Sequence, residues 1–181
     1  MKFLFWAAAL LFSLPATAQI QSATLKASGL TCSMCSKAIY KSLQKVSTIQ
    51  KVDVDIEKSE YTIAFKPGAA VELDEVKKAV ESAGFSVSAM KVNARLEPTS
   101  LTKDAHVTLG KSTFHFLNGT DKKVDGDVTF SVVDKSYVPM SVHKAYGQFT
   151  SMKCYATGYM ESCCSGGAPG KTPQRVYHAV L

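Results

Sequence analysis

Ala23-Thr24-Leu25-Lys26-Ala27-Ser28-Gly29-Leu30-Thr31-Cys32-Ser33-Met34-Cys35-Ser36-Lys37-Ala38-Ile39 is the stretch whose reading decides the fold. Ala23, Leu25 and Ala27 alternate with polar neighbours, which predicts a half-buried strand. Ala38, Ile39, Leu43 and Val46 then recur at helical spacing, and Cys32 and Cys35 fall at the strand–helix junction. Further along, Val52 and Val54 alternate with Asp53 and Asp55, Lys58-Ser59-Glu60 makes a polar turn, and Tyr61, Ile63 and Phe65 resume the alternation. Ile49 to Phe65 therefore reads as a hairpin, ended by Pro67-Gly68. A second helix is predicted over Leu73–Ser82, burying Leu73, Val76, Val80 and Ala83, with Gly84 as its stop. Phe85, Val87 and Ala89 close the unit as a last strand. The order is βαββαβ, an α+β ferredoxin-like arrangement over residues 19–92 with two helices on one face of an antiparallel sheet.

The two thiols can face one ion of a thiophilic metal. The thiolate is the ligand, and Cys35 sits in the first helical turn, where the helix dipole favours an anion. Cys32 lies in the loop before the helix, free to turn toward Cys35, with Lys37 nearby. Two sulfurs suit linear coordination of Cu(I) or Hg(II), whereas Zn(II) needs further ligands, so the order of expectation is Cu(I), then Hg(II) or Zn(II). The same CxxC pair can instead cycle as a disulfide, although nothing here supplies a thioredoxin-like order of elements. As a purely structural disulfide it would constrain little of the unfolded chain.

GLTCSMC at the first strand–helix junction of a βαββαβ order resembles the heavy-metal-associated domain family, which includes copper chaperones, copper-ATPase modules and the periplasmic mercury-binding protein. The family pattern is usually written GMTCxxC, and Leu30 stands where Met is commonest, a volume-conserving change. Ala83-Gly84-Phe85 also matches, in a family where an aromatic ring often packs beside the metal loop. The resemblance covers about seventy residues and implies a metal site at Cys32 and Cys35.

Residues 1–18 read as a secretory signal peptide: a charged start at Met1-Lys2, an apolar run from Phe3 to Leu14, then Pro15 and the small residues Ala16-Thr17-Ala18 before Gln19. The run is too short to span a bilayer, so an exported chain, most simply periplasmic, with no membrane span after cleavage is expected. The formal charge of +6 falls to +5 without Lys2 and is dispersed, which argues against nucleic acid as a partner.

Residues 93–100 contain Pro98 and lack period, and read as a linker to a small β-rich domain over 101–181. There Ala105–Leu109 and Thr113–Leu117 alternate, Asn118-Gly119 signals a hairpin turn, and Val128, Phe130 and Val132 form another strand. Pro139 opens a short helix carrying Met140, His143 and Tyr146; Phe149–Tyr155 and Val176–Leu181 look like further strands. That order suits an OB-like barrel and several other small β folds.

Met152, Cys154, Met160, Cys163 and Cys164 form a soft-ligand cluster. Its readings are a disulfide from Cys154 to one of the adjacent pair, or a second metal site at Cys154, Cys163 and Cys164. His106, His115, His143 and His178 have no pairing in their spacing; His115, facing the side of its strand opposite Phe114 and Phe116, and His178, alternating with Tyr177, read as strand-surface residues, with Met140–His143 a conceivable metal edge. No phosphate loop, GxSxG or HExxH is present, so binding rather than catalysis is expected. The reading is an exported protein that captures a soft ion at Cys32 and Cys35 and transfers it to, or accepts it from, a partner protein, or sequesters it. A thiol–disulfide protein using the same pair, and a partner-binding scaffold with an incidental metal, are the alternatives.

Overall fold

The computed structural model describes residues 18–30, 33–119, 123–160 and 173–181. The signal-peptide reading, Cys32, Cys163 and Cys164 lie outside them. Strand β1 (Gln19–Ser28) leads to helix α1 (Ser33–Leu43), followed by the hairpin β2 (Ile49–Asp55) and β3 (Glu60–Phe65). Helix α2 (Leu73–Ser82) and strand β4 (Ser86–Ser100) complete the βαββαβ order. β1 pairs antiparallel with both β3 and β4, giving the ferredoxin-like order β2-β3-β1-β4. Helix α2 ends as its sequence predicts: Gly84 sits at φ +88°, its N–H reaches Glu81 O at 2.9 Å, and the Phe85 N–H reaches Val80 O at 3.3 Å. This is the Schellman pattern that glycine makes cheap. Ser42 Oγ on α1 donates to Ala79 O on α2 at 2.6 Å, tying the two helices together.

The strand alternation drawn through Phe85, Val87 and Ala89 does not hold. Val87 is buried, Ala89 is not, and Met90, Val92, Ala94 and Leu96 take over the inward face. The cause is a bulge in β4 opposite the Lys26–Ala27 step, where Ser88 is the extra residue and the side chains that follow it change faces.

Residues 93–100 are not a linker but the second half of β4, which lies between β1 and β7 (Lys123–Val132). Beyond β7 the sheet continues through β9 (Gln174–Val180), β6 (Ser112–Asn118) and β5 (Ala105–Leu109), with the two-residue β8 (Tyr159–Met160) on the side of β9. The path runs openly from β2 to β5, so an OB-like barrel is not what the described strands form. Nor does Asn118-Gly119 close a hairpin, because β9 enters between β6 and β7 and runs parallel to β6. Asn118 instead secures the chain end, its Oδ1 accepting from the Leu181 N–H at 2.9 Å.

Between β7 and β9, helix α3 (Met140–Tyr146), a 3-10 turn (Gly147–Phe149) and the short helix α4 (Cys154–Thr157) replace the strand expected over Phe149–Tyr155. One apolar cluster runs from Ile20, Leu25 and Ile39 through Val92 to Phe114, Phe130, Tyr137 and Tyr177, so both halves share a core. Polar bonds join them too. At the start of α2, Asp74 accepts from Tyr137 Oη at 2.8 Å and from Arg175 Nε at 2.9 Å, and its N–H donates to Tyr177 Oη at 3.0 Å.

Candidate metal centre

β1 ends at Gly29, whose φ of +84° is the left-handed turn that aims the chain into the cysteine loop. Phe85 packs against this turn, 3.8 Å from where a Cβ on Gly29 would lie, and Leu30 packs onto the core. Cys35 is half-buried in the first turn of α1, while Met34 beside it is 70% exposed. Beneath the turn, the fully buried Tyr61 extends its hydroxyl to Ser36 O at 3.4 Å. Burial, with the nearby Cys35 charge, raises the Tyr61 hydroxyl above its ordinary 10, so it remains a donor. Met34, Lys37, Tyr40, Val54 and Ile56 border an open, mostly apolar hollow of about 390 Å³ next to the loop. The geometry is a thiol held at a helix N-terminus, on the rim of an apolar surface.

The other cysteines divide. Cys163 and Cys164 are outside the described residues, so a site with Cys154 there is not observed. Cys154 opens α4 fully buried, and its Sγ lies 3.7 Å from Nδ1 of His115. His115 was expected on a strand surface but has no exposure, and neither has His178. The reason is cross-strand register: His106 on β5 pairs with His115 on β6, which pairs with His178 on β9. All three therefore project from one sheet face. That face is roofed by the segment from α3 to α4, whose Tyr146 and Tyr155 pack on Leu117, Val133 and Val180. His106 and His115 stack with centroids 4.4 Å apart, and His178 meets His115 edge-on at 5.1 Å.

Two carboxylates hold this row. Asp104 Oδ1 lies 2.7 Å from His115 Nε2, and its carbonyl oxygen lies 3.1 Å from His106 Nδ1. The buried Asp134 bonds His178 Nδ1 at 2.6 Å and the His178 N–H at 3.1 Å. Burial lowers His115 to about 4 against the pull of Asp104, and lowers His106 as well, so both imidazoles are neutral near pH 7. The Met140–His143 edge is not formed as a ligand pair: His143 Nδ1 is bonded to Val133 O at 3.0 Å and its ring stacks on Tyr155.

Compared with known proteins, residues 24–86 match the model of the heavy-metal-associated domain. The mercuric transport protein periplasmic component of Pseudomonas fluorescens is 37% identical over 74 residues, covering 41% of this chain and 80% of that one. Its counterpart from Acinetobacter calcoaceticus is 35% identical over 89 residues, covering 49% and 97%. Copper-transporting ATPase 1 of Mus musculus is 33% identical over 61 residues, 34% of this chain and 4% of that protein. Among solved structures, oxidized MerP from Ralstonia metallidurans CH34 aligns at 32% identity and a TM-score of 0.35, covering 38% of this chain and 94% of that one. Through its N-terminal βαββαβ unit, this chain belongs to the heavy-metal-associated domain family.

Proposed function

We propose that the protein is exported and captures a soft metal ion between Cys32 and Cys35, passing it to or from the thiols of a partner. The observation that carries the reading is Cys35 in the first turn of α1, three residues after Cys32, at the loop that Gly29 and Phe85 shape within the matched region. A thiolate there is favoured by the helix dipole, and an ion on two sulfurs leaves room for an incoming third. The exposed Met34 and the hollow beside it give a partner an apolar surface on which to present that sulfur. Relatives matched over most of their length are named for mercuric transport and periplasmic location, which brings Hg(II) level with Cu(I) as the ion to test and supports export. Export also fits β1 starting at Gln19, the residue after the proposed cleavage site. No described helix is long and apolar enough to cross a membrane.

The test is anaerobic titration of the reduced protein with Cu(I) and with Hg(II), each against a competing chelator, beside Cys32→Ser/Cys35→Ser. One tight equivalent lost in the variant is the expected result. Equal affinity in both proteins would refute the assignment, and disulfide exchange without metal affinity would favour the thiol–disulfide alternative.

A further inference from the structure

The histidine row is the strongest unassigned chemistry in the molecule. One ligand atom from each of His106, His115 and Cys154 lies within 4.8 Å of the other two. For two of them the ring orientation is already set from behind. Asp104 takes the Nε2 proton of His115 on its carboxylate and the Nδ1 proton of His106 on its carbonyl. The nitrogens left over are His115 Nδ1, which faces Cys154 Sγ at 3.7 Å, and His106 Nε2, which is buried with no hydrogen-bond partner among the described residues. A buried imidazole nitrogen with no partner is left desolvated without compensation, which a bound ion would supply. A carboxylate or carbonyl behind each imidazole is the arrangement that fixes metal-ligating histidines. Asp104 itself occupies the left-handed region at φ 62°, held by its N–H to Phe116 O at 2.8 Å. A further buried nitrogen, His178 Nε2, also has no partner among the described residues, and that ring abuts His115.

We propose that His106, His115 and Cys154 form a second metal site, separate from the cysteine pair, for a transition-metal ion that takes imidazole and thiolate together. Two nitrogens and one sulfur are the donors shared by copper and zinc, and exclude the hard cations that need oxygen. A tetrahedral ion with bonds of ordinary length holds such ligands about 3.3–3.8 Å apart, so no pair of the trio has to close by more than about 1.5 Å. His115 and Cys154 are fully buried, which suits an ion held in place rather than exchanged. The assignment is independent of the function proposed for Cys32 and Cys35.

The test uses the full chain in a Cys32→Ser/Cys35→Ser background, reduced, with Co(II) as a spectroscopic probe and Zn(II) as competitor. The expected result is one equivalent with a thiolate-to-cobalt charge-transfer band, displaced by Zn(II). Cys154→Ser should abolish the band, and His106→Gln, at a half-buried position, should weaken binding at least tenfold. Circular dichroism of each metal-free variant separates loss of ligand from loss of fold. No band, or a band indifferent to His106→Gln and His115→Gln, would overturn the proposal. So would a site that survives both of these but fails in Cys163→Ser/Cys164→Ser.

Discussion

The cysteine loop and the histidine row place soft ligands on opposite terms. The loop carries its two cysteines three residues apart in sequence, and Cys35 sits half-buried in the first turn of α1, beside an open apolar hollow. The row draws its groups from β5, β6, β9 and α4, under a roof that removes His115, His178 and Cys154 from solvent. On the function proposed for it, the loop suits hand-over, because an ion on two thiolates can meet a third sulfur before it leaves the first two. Retention is what the row suits, because His106 and His115 are oriented from behind by Asp104, Cys154 is buried, and no partner needs to approach.

The sharpest way to break this contrast is to remove one set of thiols at a time. Cys32→Ser/Cys35→Ser should lose the fast-exchanging equivalent of soft metal and keep the slow one. Cys154→Ser should do the reverse, as read by metal analysis after a brief and a prolonged exposure to chelator. Loss of both equivalents in either variant would mean that a single site had been mistaken for two.

Next in size is the joint between the halves. Asp74 faces Arg175, Tyr137 and Tyr177 from the start of α2, and the apolar core is continuous across it. Asp74→Ala takes the nearer of two carboxylates from the half-buried Arg175 guanidinium, which keeps Asp134 and Gly158 O, and leaves the buried Tyr137 hydroxyl without its acceptor. Breaking a buried pair from one side costs about 3–5 kcal/mol, and the partial exposure of this one reduces that to about 2–3 kcal/mol. Chemical denaturation should show a lower midpoint in one transition for both halves. Two separated transitions would show that the halves fold independently after all.

How much of this was legible followed the range of the interactions. Leu73–Ser82 was readable to the residue because its apolar spacing and the Gly84 stop are local signals. The strand–helix junction that carries the cysteine motif was readable for the same reason, as the end of β1 and the start of α1 are contiguous in sequence. The histidine row was not, because His106, His115 and His178 become neighbours only through strand register, and β9 reaches β6 from the far end of the chain. Period 2 placed His115 opposite Phe114 and Phe116 correctly, yet could not show that the opposite face is also covered. Six consecutive buried residues, Ser112 to Leu117, are what a strand covered on both sides looks like, and Thr113-Phe114-His115-Phe116-Leu117 carries that signal weakly. Pro98 misled in the other direction, suggesting a break where β4 has only a register shift between Leu96 and Thr99.

Acidification should separate the two regions again. His115 faces Asp104, His106, His178 and Cys154, and titrates at about 4 in the folded chain against 6.5 in the unfolded one. The unfolded state therefore binds more protons across that window, so stability is full above pH 6.5 and falls as the pH drops toward 4. Burial opposes ionisation of Asp74, but Arg175 and Tyr137 outweigh it and hold its carboxyl below 3.8, so a further loss follows below that pH. Denaturation midpoints of the metal-free protein from pH 7 to 3 should decline in these two steps. His115→Gln should flatten the first step and leave the second, and a first step unchanged in that variant would assign it elsewhere.

The smallest effects compare two tyrosine hydroxyls. Tyr137 donates at 2.8 Å to the ionised Asp74 at the joint, whereas Tyr61 donates at 3.4 Å to the neutral Ser36 carbonyl under the cysteine loop. Bonds to charged groups contribute about 1.5–3 kcal/mol and neutral ones about 1 kcal/mol, less when long. Ser36 O also lies within α1, where the helix supplies its own donor. Tyr137→Phe should therefore lower stability by about 1.5 kcal/mol and Tyr61→Phe by under about 1 kcal/mol, both read from denaturation midpoints. Metal affinity at Cys32 and Cys35 should stay within about threefold in Tyr61→Phe, because α1 is held in place by its packing and by Ser42 on Ala79 rather than by this one hydroxyl. A larger fall in affinity with unchanged stability would make Tyr61 a positioning residue for Cys35, and would show that the open loop, like the buried row, depends on support from beneath.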